Sequence, residues 1–344
     1  MELSERKKAI LSAIIKLHIA TGEPIGSKIL CDVLENAPSS ATLRNEMSAL
    51  CELGLLEQPH TSAGRIPTPL GYRLYVDTLM GKADLSDDNR KIIDGYLSSA
   101  SCDPEKVPEK AGEALTEITG LPALATNISK GGPALKRVEI LQMGAHSVML
   151  IVITTDGRSR SRLCHISSPI KAELISVFDK LIAERILRQS IDNLTPAAMQ
   201  NIFTAAGNHA LTLMPLISTL FDMVSDIKNS GVSVAGHSNL FAFCKQREDA
   251  DKIISIINRR EALLSLISNS EKPLDIIFGT DTDYSVLKPS SLIFAKYGSA
   301  GNNLGCIGII GPTRMSYEQI IPSIEYTAYR MGNLLSETLK DMED

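Results

Sequence analysis

The chain has 344 residues, a formal net charge of −5, 44% hydrophobic residues and 22% charged residues. This length predicts two or three domains rather than one core. The negative charge argues against blanket polyanion binding but does not exclude DNA binding through a local basic patch. The absence of Trp, with only 4% aromatic residues, argues against base-stacking platforms.

The same sequence favours a cytoplasmic protein. Its six cysteines are scattered and contain no C-x-x-C pair, which fits reduced thiols better than a disulfide framework or a metal site. The N-terminus MELSERKKAI is charged where a signal peptide is apolar. The longest comparable apolar run, VMLIVI at 148–153, has the length of a strand, so no membrane span is expected.

Three helices are predicted at the start of the chain. The first covers residues 4–20, where apolar residues repeat with helical spacing. Ser27 is the predicted N-cap of the second helix, and Ser39 or Ser40 that of the third. Gly54 ends the third helix.

A short hairpin is predicted next. LLEQP and the segment around 65–72 are short enough to pair, with Ser-Ala-Gly at the tip. Three helices followed by a hairpin is the layout of a winged helix-turn-helix, and we assign it to residues 1–80. Residues 81–105 are then a connector with a helix near 86–100.

The rest of the chain alternates between strand and helix patterns. After a helix near 107–118, KRVEILQMG, SVMLIVITTDG and RSRLCHIS have the alternation or β-branched content of strands. Residues 171–230 have helical periodicity, and strands return at VSVAG, LDIIFG, SSLIFAKYG and LGCIGIIG. A last helix near 316–340 follows GPTRM, a turn that Arg314 is expected to hold through backbone carbonyls.

This order predicts a multidomain α+β protein. Residues 106–170 and 270–344 form an antiparallel α+β domain, and a mainly helical insertion at 171–269 interrupts it.

The third helix carries the residues that point to nucleic-acid chemistry. Leu43, Met47 and Leu50 lie on one stripe and must be buried. Off that stripe, Arg44 could bond guanine and Asn45 adenine in the major groove, each worth about 1–3 kcal/mol of base discrimination. The hydroxyl groups near the start of this helix suit phosphate contacts; they belong to Ser39, Ser40, Thr42 and Ser48.

The hairpin tip completes the predicted interface. Gly64 would let the backbone approach DNA closely, Arg65 could reach a phosphate or the minor groove, and Lys28 suits a phosphate contact. The polar residues of the tip are His60, Thr61 and Ser62. Residues 1–80 hold eight Lys and Arg against nine Asp and Glu, so one copy should bind weakly. A dimer on a two-fold-related site is therefore favoured.

The chain closely resembles the HrcA family of heat-inducible transcription repressors in ATGEPIGSKIL, SSATLRNEMSALCELGLLEQPHTSAGRIPTPLGYRLYVD and IGIIGPTRMSYEQIIPSIEYTA. The first two stretches cover nearly all of residues 19–77. The resemblance implies a winged-helix domain, a GAF-like domain, and a helical dimerising insertion within the latter. It also implies repression of chaperone operons through an inverted-repeat operator, with an active fraction that depends on the GroE chaperonin.

Two other classes of function stay open. GAF-type folds often hold a small ligand, so a winged-helix regulator gated by a small effector is the stronger rival. An enzyme would need paired carboxylates or an activated nucleophile, and neither is found: Cys164 and His165 are neighbours on a strand and point to opposite faces. GNNLGCIGIIG at 301–311 lacks the spacing of a phosphate loop. No catalytic residue, cofactor or metal is expected.

Overall fold

The computed structural model describes residues 3–34, 37–61, 63–101, 103–127, 133–229, 232–243, 247–257, 265–267, 270–282, 290–299 and 302–343. Within these ranges the chain forms a winged helix, a five-stranded sheet flanked by helices, and an inserted unit with its own three-stranded sheet. The predicted class, a winged helix-turn-helix followed by an antiparallel α+β domain, is confirmed.

Three helices open the winged helix: α1 Glu5–Thr21, α2 Ser27–Val33 and α3 Ser40–Glu52. The hydroxyl of Ser4 accepts a hydrogen bond from the first turn of α1, and Gly22 ends this helix at φ 74°, a conformation that glycine adopts readily. Ser39 caps α3 in the same way. Helix α2 has Gly26 at its N-cap and no side-chain cap, so the prediction that Ser27 caps it is wrong.

The wing is a two-stranded antiparallel hairpin of β1 Leu56–Glu57 and β2 Ile66–Pro67. Arg65, just before β2, exchanges two backbone hydrogen bonds with Ile25, at 2.9 and 2.8 Å. The link between α1 and α2 therefore adds a third extended segment to the wing. This pairing holds the wing beside the start of α2.

Helix α4, Pro69–Leu74, leads out of the winged helix and continues as a wider π turn at Tyr75–Leu79. Helix α5, Asp87–Ser99, is the helix predicted near 86–100. The hydroxyl of Ser86 accepts a hydrogen bond from the amide of Asn89 at 3.2 Å, which is the cap that this residue supplies.

Two separate sheets and further helices make up the rest. The strands are β3 Ala123–Asn127, β4 Leu135–Gln142, β5 Ser147–Thr154, β6 Ser159–His165, β7 Val232–Ala235, β8 Leu274–Phe278, β9 Ser290–Ser299 and β10 Asn302–Pro312. The helices are α6 Val107–Thr119, α7 Ala172–Arg185, α8 Pro196–Ala205, α9 Ala210–Asn229, α10 Leu240–Phe243, α11 Arg247–Ile257 and α12 Tyr317–Glu343. One sheet has the order β7–β3–β10–β9–β8 and the other β4–β5–β6, and both are antiparallel.

Strand β3, second in the five-stranded sheet, has no counterpart among the sequence predictions. It carries alanines where a buried strand usually carries large β-branched residues. The structural reason is close packing of α6: a Cβ on Gly112 would lie 4.0 Å from the Cβ of Ala123 and 3.4 Å from that of Ala235. Large side chains on β3 would push α6 away from the sheet.

Strands β4–β6 pack with α7–α9 around a separate core. Val148, Leu150 and Val152 of β5 are fully buried on the inner face of this small sheet. From the sequence these strands are expected in the domain at 106–170, yet within the described ranges they pair only with one another. The inserted unit in the structure thus covers 133–229, while β7, α10 and α11 belong to the five-stranded sheet and its second face.

Helix α9, with the turn before it, is the one stretch in the described part of the chain that is long and apolar enough to cross a membrane, at Gly207–Lys228. One of its faces lies in the core of the inserted unit, where Leu213 and Leu220 are fully buried. Asp226 of this helix forms an ion pair with Arg162 of β6. Packing on one face and pairing with a strand are what a core helix of a folded unit shows.

The winged helix and the sheet domain share one hydrophobic core. The rings of Tyr72 from α4 and Tyr317 from α12 lie 5.8 Å apart, and the hydroxyl of Tyr72 is 2.8 Å from Nδ1 of His18 in α1. The ring of Phe278, at the end of β8, is 6.4 Å from that of Tyr317. The guanidinium of Arg73 covers Phe278 from outside at 5.1 Å.

Polar contacts surround this shared core. Glu318 of α12 accepts hydrogen bonds from Lys16 of α1 at 2.9 Å and from the hydroxyl of Tyr75 at 2.7 Å. Arg314 donates to the carbonyl of Ile19 at 2.9 Å. The predicted use of Arg314 on a backbone carbonyl is thus correct, and the carbonyl belongs to the winged helix.

We expect Glu318→Gln to lower the free energy of unfolding by about 1 kcal/mol at neutral pH, since partly exposed ion pairs and single hydrogen bonds contribute on this scale. The hydrogen bonds from Lys16 and Tyr75 lower the pKa of the Glu318 carboxyl. Its contribution is therefore complete above the ordinary carboxyl pKa and is lost as the pH falls through the lowered value.

Urea unfolding followed by circular dichroism at neutral and increasingly acidic pH measures this contribution. Glu325→Gln removes the same charge from an exposed position of α12 and is the matched control. A constant difference between wild type and Glu318→Gln at all pH values would contradict the assignment.

Candidate nucleic-acid interface

Helix α3 presents a buried stripe and an exposed face. Leu43, Met47 and Leu50 are buried as predicted, with relative exposures of 0, 4 and 0%. Arg44 and Asn45 are exposed, together with Ser48 one turn later. The helix is therefore anchored on one side and offers hydrogen-bonding groups on the other.

The hydroxyl groups at the start of α3 also organise the protein itself. Ser39 Oγ accepts the amide of Thr42 at 3.2 Å and lies 2.9 Å from Thr42 Oγ1. Ser40 Oγ lies 2.8 Å from Ser27 Oγ, which connects α3 to the first residue of α2. These groups are predicted phosphate donors, and the structure gives each an internal partner as well.

The wing tip is closed by the side chain of Gln58. Its amide donates to the carbonyls of Thr61 at 2.9 Å and Ala63 at 3.1 Å. His60 and Thr61 are exposed at the tip, and Ser62, also predicted to contact DNA, lies outside the described residues. Gln58 thus shapes the loop that carries these groups.

Gly64 has an intramolecular reason to be glycine. A Cβ at this position would lie 2.4 Å from the carbonyl carbon of Ile25, closer than real side chains approach. The sequence analysis assigns this glycine to close approach of DNA, whereas here the approaching backbone is the strand segment at Ile25. The wing could not pair with that segment if residue 64 had a side chain.

Helices α2 and α3 and the wing enclose a groove of about 660 Å³. Its basic residues are Lys28, Arg44 and Arg65, and no acidic residue is among the described residues that line it. Nε of Arg65 is buried and has no hydrogen-bond partner within the described structure. A domain with a small excess of acidic residues thus has a locally positive groove with an unsatisfied donor.

The structure brings about half of the predicted residues together. Those that line the groove are Lys28, Arg44, Ser48, Thr61, Gly64 and Arg65. The others lie around it, on the start and exposed face of α3 and at the wing tip; they are Ser39, Ser40, Thr42, Asn45 and His60. Gln58 and Ser27, which hold groove residues in place, were missed because their partners are set by tertiary contacts that no local pattern reports.

Two buried cysteines, Cys164 and Cys306, lack the surroundings of a nucleophile. Cys164 is buried and His165 is exposed, so the two neighbours do point to opposite faces. Cys306 is fully buried in β10, and burial raises the pKa of its thiol to about 12. The reactive thiolate of Cys306 is therefore not populated at neutral pH.

Two family models match the chain on either side of the connector. The winged helix-turn-helix transcription repressor, HrcA DNA-binding, matches residues 2–78, and the HrcA protein C terminal domain matches residues 105–321. The chain belongs to the HrcA family. The resemblance is confirmed, and the groove lies in the DNA-binding winged helix of this family of heat-inducible transcription repressors.

Curated relatives cover nearly the whole chain. The heat-inducible transcription repressor HrcA of Acetivibrio thermocellus is 32% identical over 96% of this chain and 96% of its own length. That of Carboxydothermus hydrogenoformans is 29% identical over 97% of this chain and 98% of its own. A crystal structure of a hypothetical protein at 2.2 Å resolution covers 98% of this chain and 100% of its own, with a TM-score of 0.71 and 21% identity, which shows the same fold.

Proposed function

We propose that this protein is a cytoplasmic, sequence-specific repressor of heat-shock (chaperone) operons that binds an inverted-repeat operator as a dimer. We further propose that the GroE chaperonin modulates its activity. The observation that carries the proposal is the groove, where three basic side chains converge between the exposed face of α3 and the wing. A helix of this kind fits the major groove of DNA, while a wing beside it reaches the backbone or the minor groove.

Base reading is the role of Arg44 and Asn45 in this proposal. Both are exposed on the N-terminal half of α3, the part of a recognition helix that meets base edges. Arg44 contacts guanine and Asn45 adenine, with about 1–3 kcal/mol of discrimination for each bidentate pair.

Phosphate binding is the role of the groups around them. Lys28 and Arg65 supply positive charge, and a phosphate oxygen would satisfy the buried Nε of Arg65. Backbone contacts at the start of α3 come from Ser39, Ser40, Thr42 and Ser48, and those of the wing tip from His60, Thr61, Ser62 and Gly64.

Dimerisation through the inserted unit is supported by an apolar surface. Leu141, Met149 and Leu163 lie side by side across β4, β5 and β6 on the outer face of the small sheet. Leu141 is 49% exposed and Leu163 65% exposed. A row of exposed apolar side chains across a sheet is a typical contact surface between protein chains, and two copies would double the number of phosphate contacts.

Control by heat follows from the shared core. Because the winged helix packs into the core of the sheet domain, warming that loosens this core populates a state in which the reading face is disordered or displaced. The chaperonin returns that state to the active one. When unfolded proteins occupy the chaperonin, less repressor is restored, and the chaperone operons are expressed.

A small effector is the second candidate for control. A cavity of about 500 Å³ lies between the π turn after α4, strand β8 and α12, lined among others by Asp77, Lys272, Phe278 and Pro322. A ligand there would contact both domains at once. Binding to the native state would raise the unfolding temperature, which distinguishes an effector from control by the chaperonin alone.

Operator recognition is tested by fluorescence anisotropy with a duplex carrying an inverted repeat of the family and a scrambled duplex, at two salt concentrations. Wild type is expected to prefer the repeat, and Arg44→Ala to lose about tenfold or more of that preference, in line with the loss of a bidentate base contact. Lys91→Ala, which removes an exposed charge from the connector, is the control. Equal and steeply salt-dependent binding to both duplexes by wild type would contradict sequence reading.

Dimerisation is tested by analytical ultracentrifugation. Leu163→Lys is expected to raise the dimer dissociation constant by tenfold or more, since burying a leucine contributes about 1.5–3 kcal/mol. Leu70→Lys makes the same change at an exposed leucine of the winged helix and should leave the dimer intact. A Leu163→Lys protein that stays as dimeric as wild type would remove this surface from the interface.

The heat response is tested by warming the purified protein in steps, cooling it, and measuring operator binding with and without GroE and ATP. We expect binding to be lost on warming and recovered only with the chaperonin. Full operator affinity after heating without chaperonin would contradict the mechanism.

A further inference from the structure

We propose that Ser27 is a positioning residue for base reading: its buried hydroxyl holds the Arg44 guanidinium in the orientation that contacts guanine. The inference rests on the proposed function of α3 and extends it to a residue of α2.

The position of Ser27 frees its hydroxyl for this task. Ser27 is the first residue of α2, and only 6% of it is exposed. The helix is capped at Gly26 without a side-chain hydrogen bond. The serine hydroxyl that bonds to the backbone of a helix start is that of the N-cap residue, and Ser27 follows this position, so its hydroxyl can bond across to another helix.

The Ser27 hydroxyl makes two contacts with side chains of α3. Arg44 Nε donates to Ser27 Oγ at 3.3 Å, and Ser27 Oγ lies 2.8 Å from Ser40 Oγ. A guanidinium only donates, so Ser27 Oγ accepts from Arg44, and in its contact with Ser40 either hydroxyl can be the donor. One buried hydroxyl therefore connects a base-reading side chain with a backbone-binding one.

The hydrogen bond to Ser27 holds the Arg44 side chain in one orientation. With Nε engaged, the two Nη groups remain free, and Arg44 makes no other hydrogen bond within the described parts of the chain. The pair of Nη groups matches the O6 and N7 acceptors of guanine. Arginine has many rotamers in solution, and holding it in place before DNA arrives reduces the entropy lost on binding.

A purely structural role of Ser27 predicts a different dependence on the residue at position 44. If Ser27 served only to join α2 to α3, its loss would weaken the fold, and affinity would fall whatever residue stands at position 44. If Ser27 acts through Arg44, its loss has an effect only while the arginine is present. A double-mutant cycle separates these two cases.

The experiment measures the ratio of affinities for the repeat and scrambled duplexes in wild type, Ser27→Ala, Arg44→Ala and the double variant. Ser27→Ala is expected to lower this ratio about fivefold, as fits the loss of preorganisation of one long side chain. Affinity for the scrambled duplex and the salt dependence should not change, because no phosphate contact is lost. In the Arg44→Ala background, Ser27→Ala should have no further effect.

Ser27→Thr keeps the hydroxyl group and is expected to retain the wild-type ratio, with thermal unfolding recorded for every variant. An equal loss from Ser27→Ala in both backgrounds would overturn the inference in favour of a structural role, as would a ratio that Ser27→Ala leaves unchanged. Either result would leave the proposed function intact as long as Arg44→Ala loses the preference. A wild-type protein without preference for the repeat would overturn both.

Discussion

The packing of Tyr72 against Tyr317 joins the DNA-binding winged helix to the sheet domain within one hydrophobic core. Helix α1 is buried on this side through Ile14 and Ile15 and contacts α3 as well. Helix α3 is therefore supported by a helix that belongs to the shared core. The DNA-binding domain of this HrcA family member is not a module on a free tether; the position of α3 is tied to the sheet.

Magnitudes decide which contacts hold the domains together. The ion pair of Lys16 with Glu318 is about half exposed on both sides, and such pairs contribute about 0–1 kcal/mol. A fully buried large apolar side chain contributes about 1.5–3 kcal/mol, and the shared core contains many of them. Apolar burial therefore provides the affinity between the domains, while Glu318 and Arg314 fix the geometry in which they meet.

The sequence predicts those helices and strands whose pattern of apolar residues shows which side is buried. The stripe of Leu43, Met47 and Leu50 indicates a helix with one buried face, and the apolar run VMLIVI in β5 has the length of a strand. Neither pattern indicates which strands pair, so the sequence places β4–β6 in the domain at 106–170 and does not indicate that they form a sheet of their own. In the site, chemical type indicated Arg44, but the reasons for Gly64 and for Ser27 lie in contacts with α2 and the segment before it, which only the fold brings close.

The separate core of the inserted unit gives the molecule two parts that can respond differently to temperature. Its buried residues form a cluster distinct from the one shared by the winged helix and the five-stranded sheet. Loosening of the shared core changes the relation of α3 to the sheet without requiring the inserted unit to open. A repressor that dimerises through the inserted unit would then lose affinity for the operator while remaining a dimer. Recovery would require refolding of one core and no reassembly of two chains.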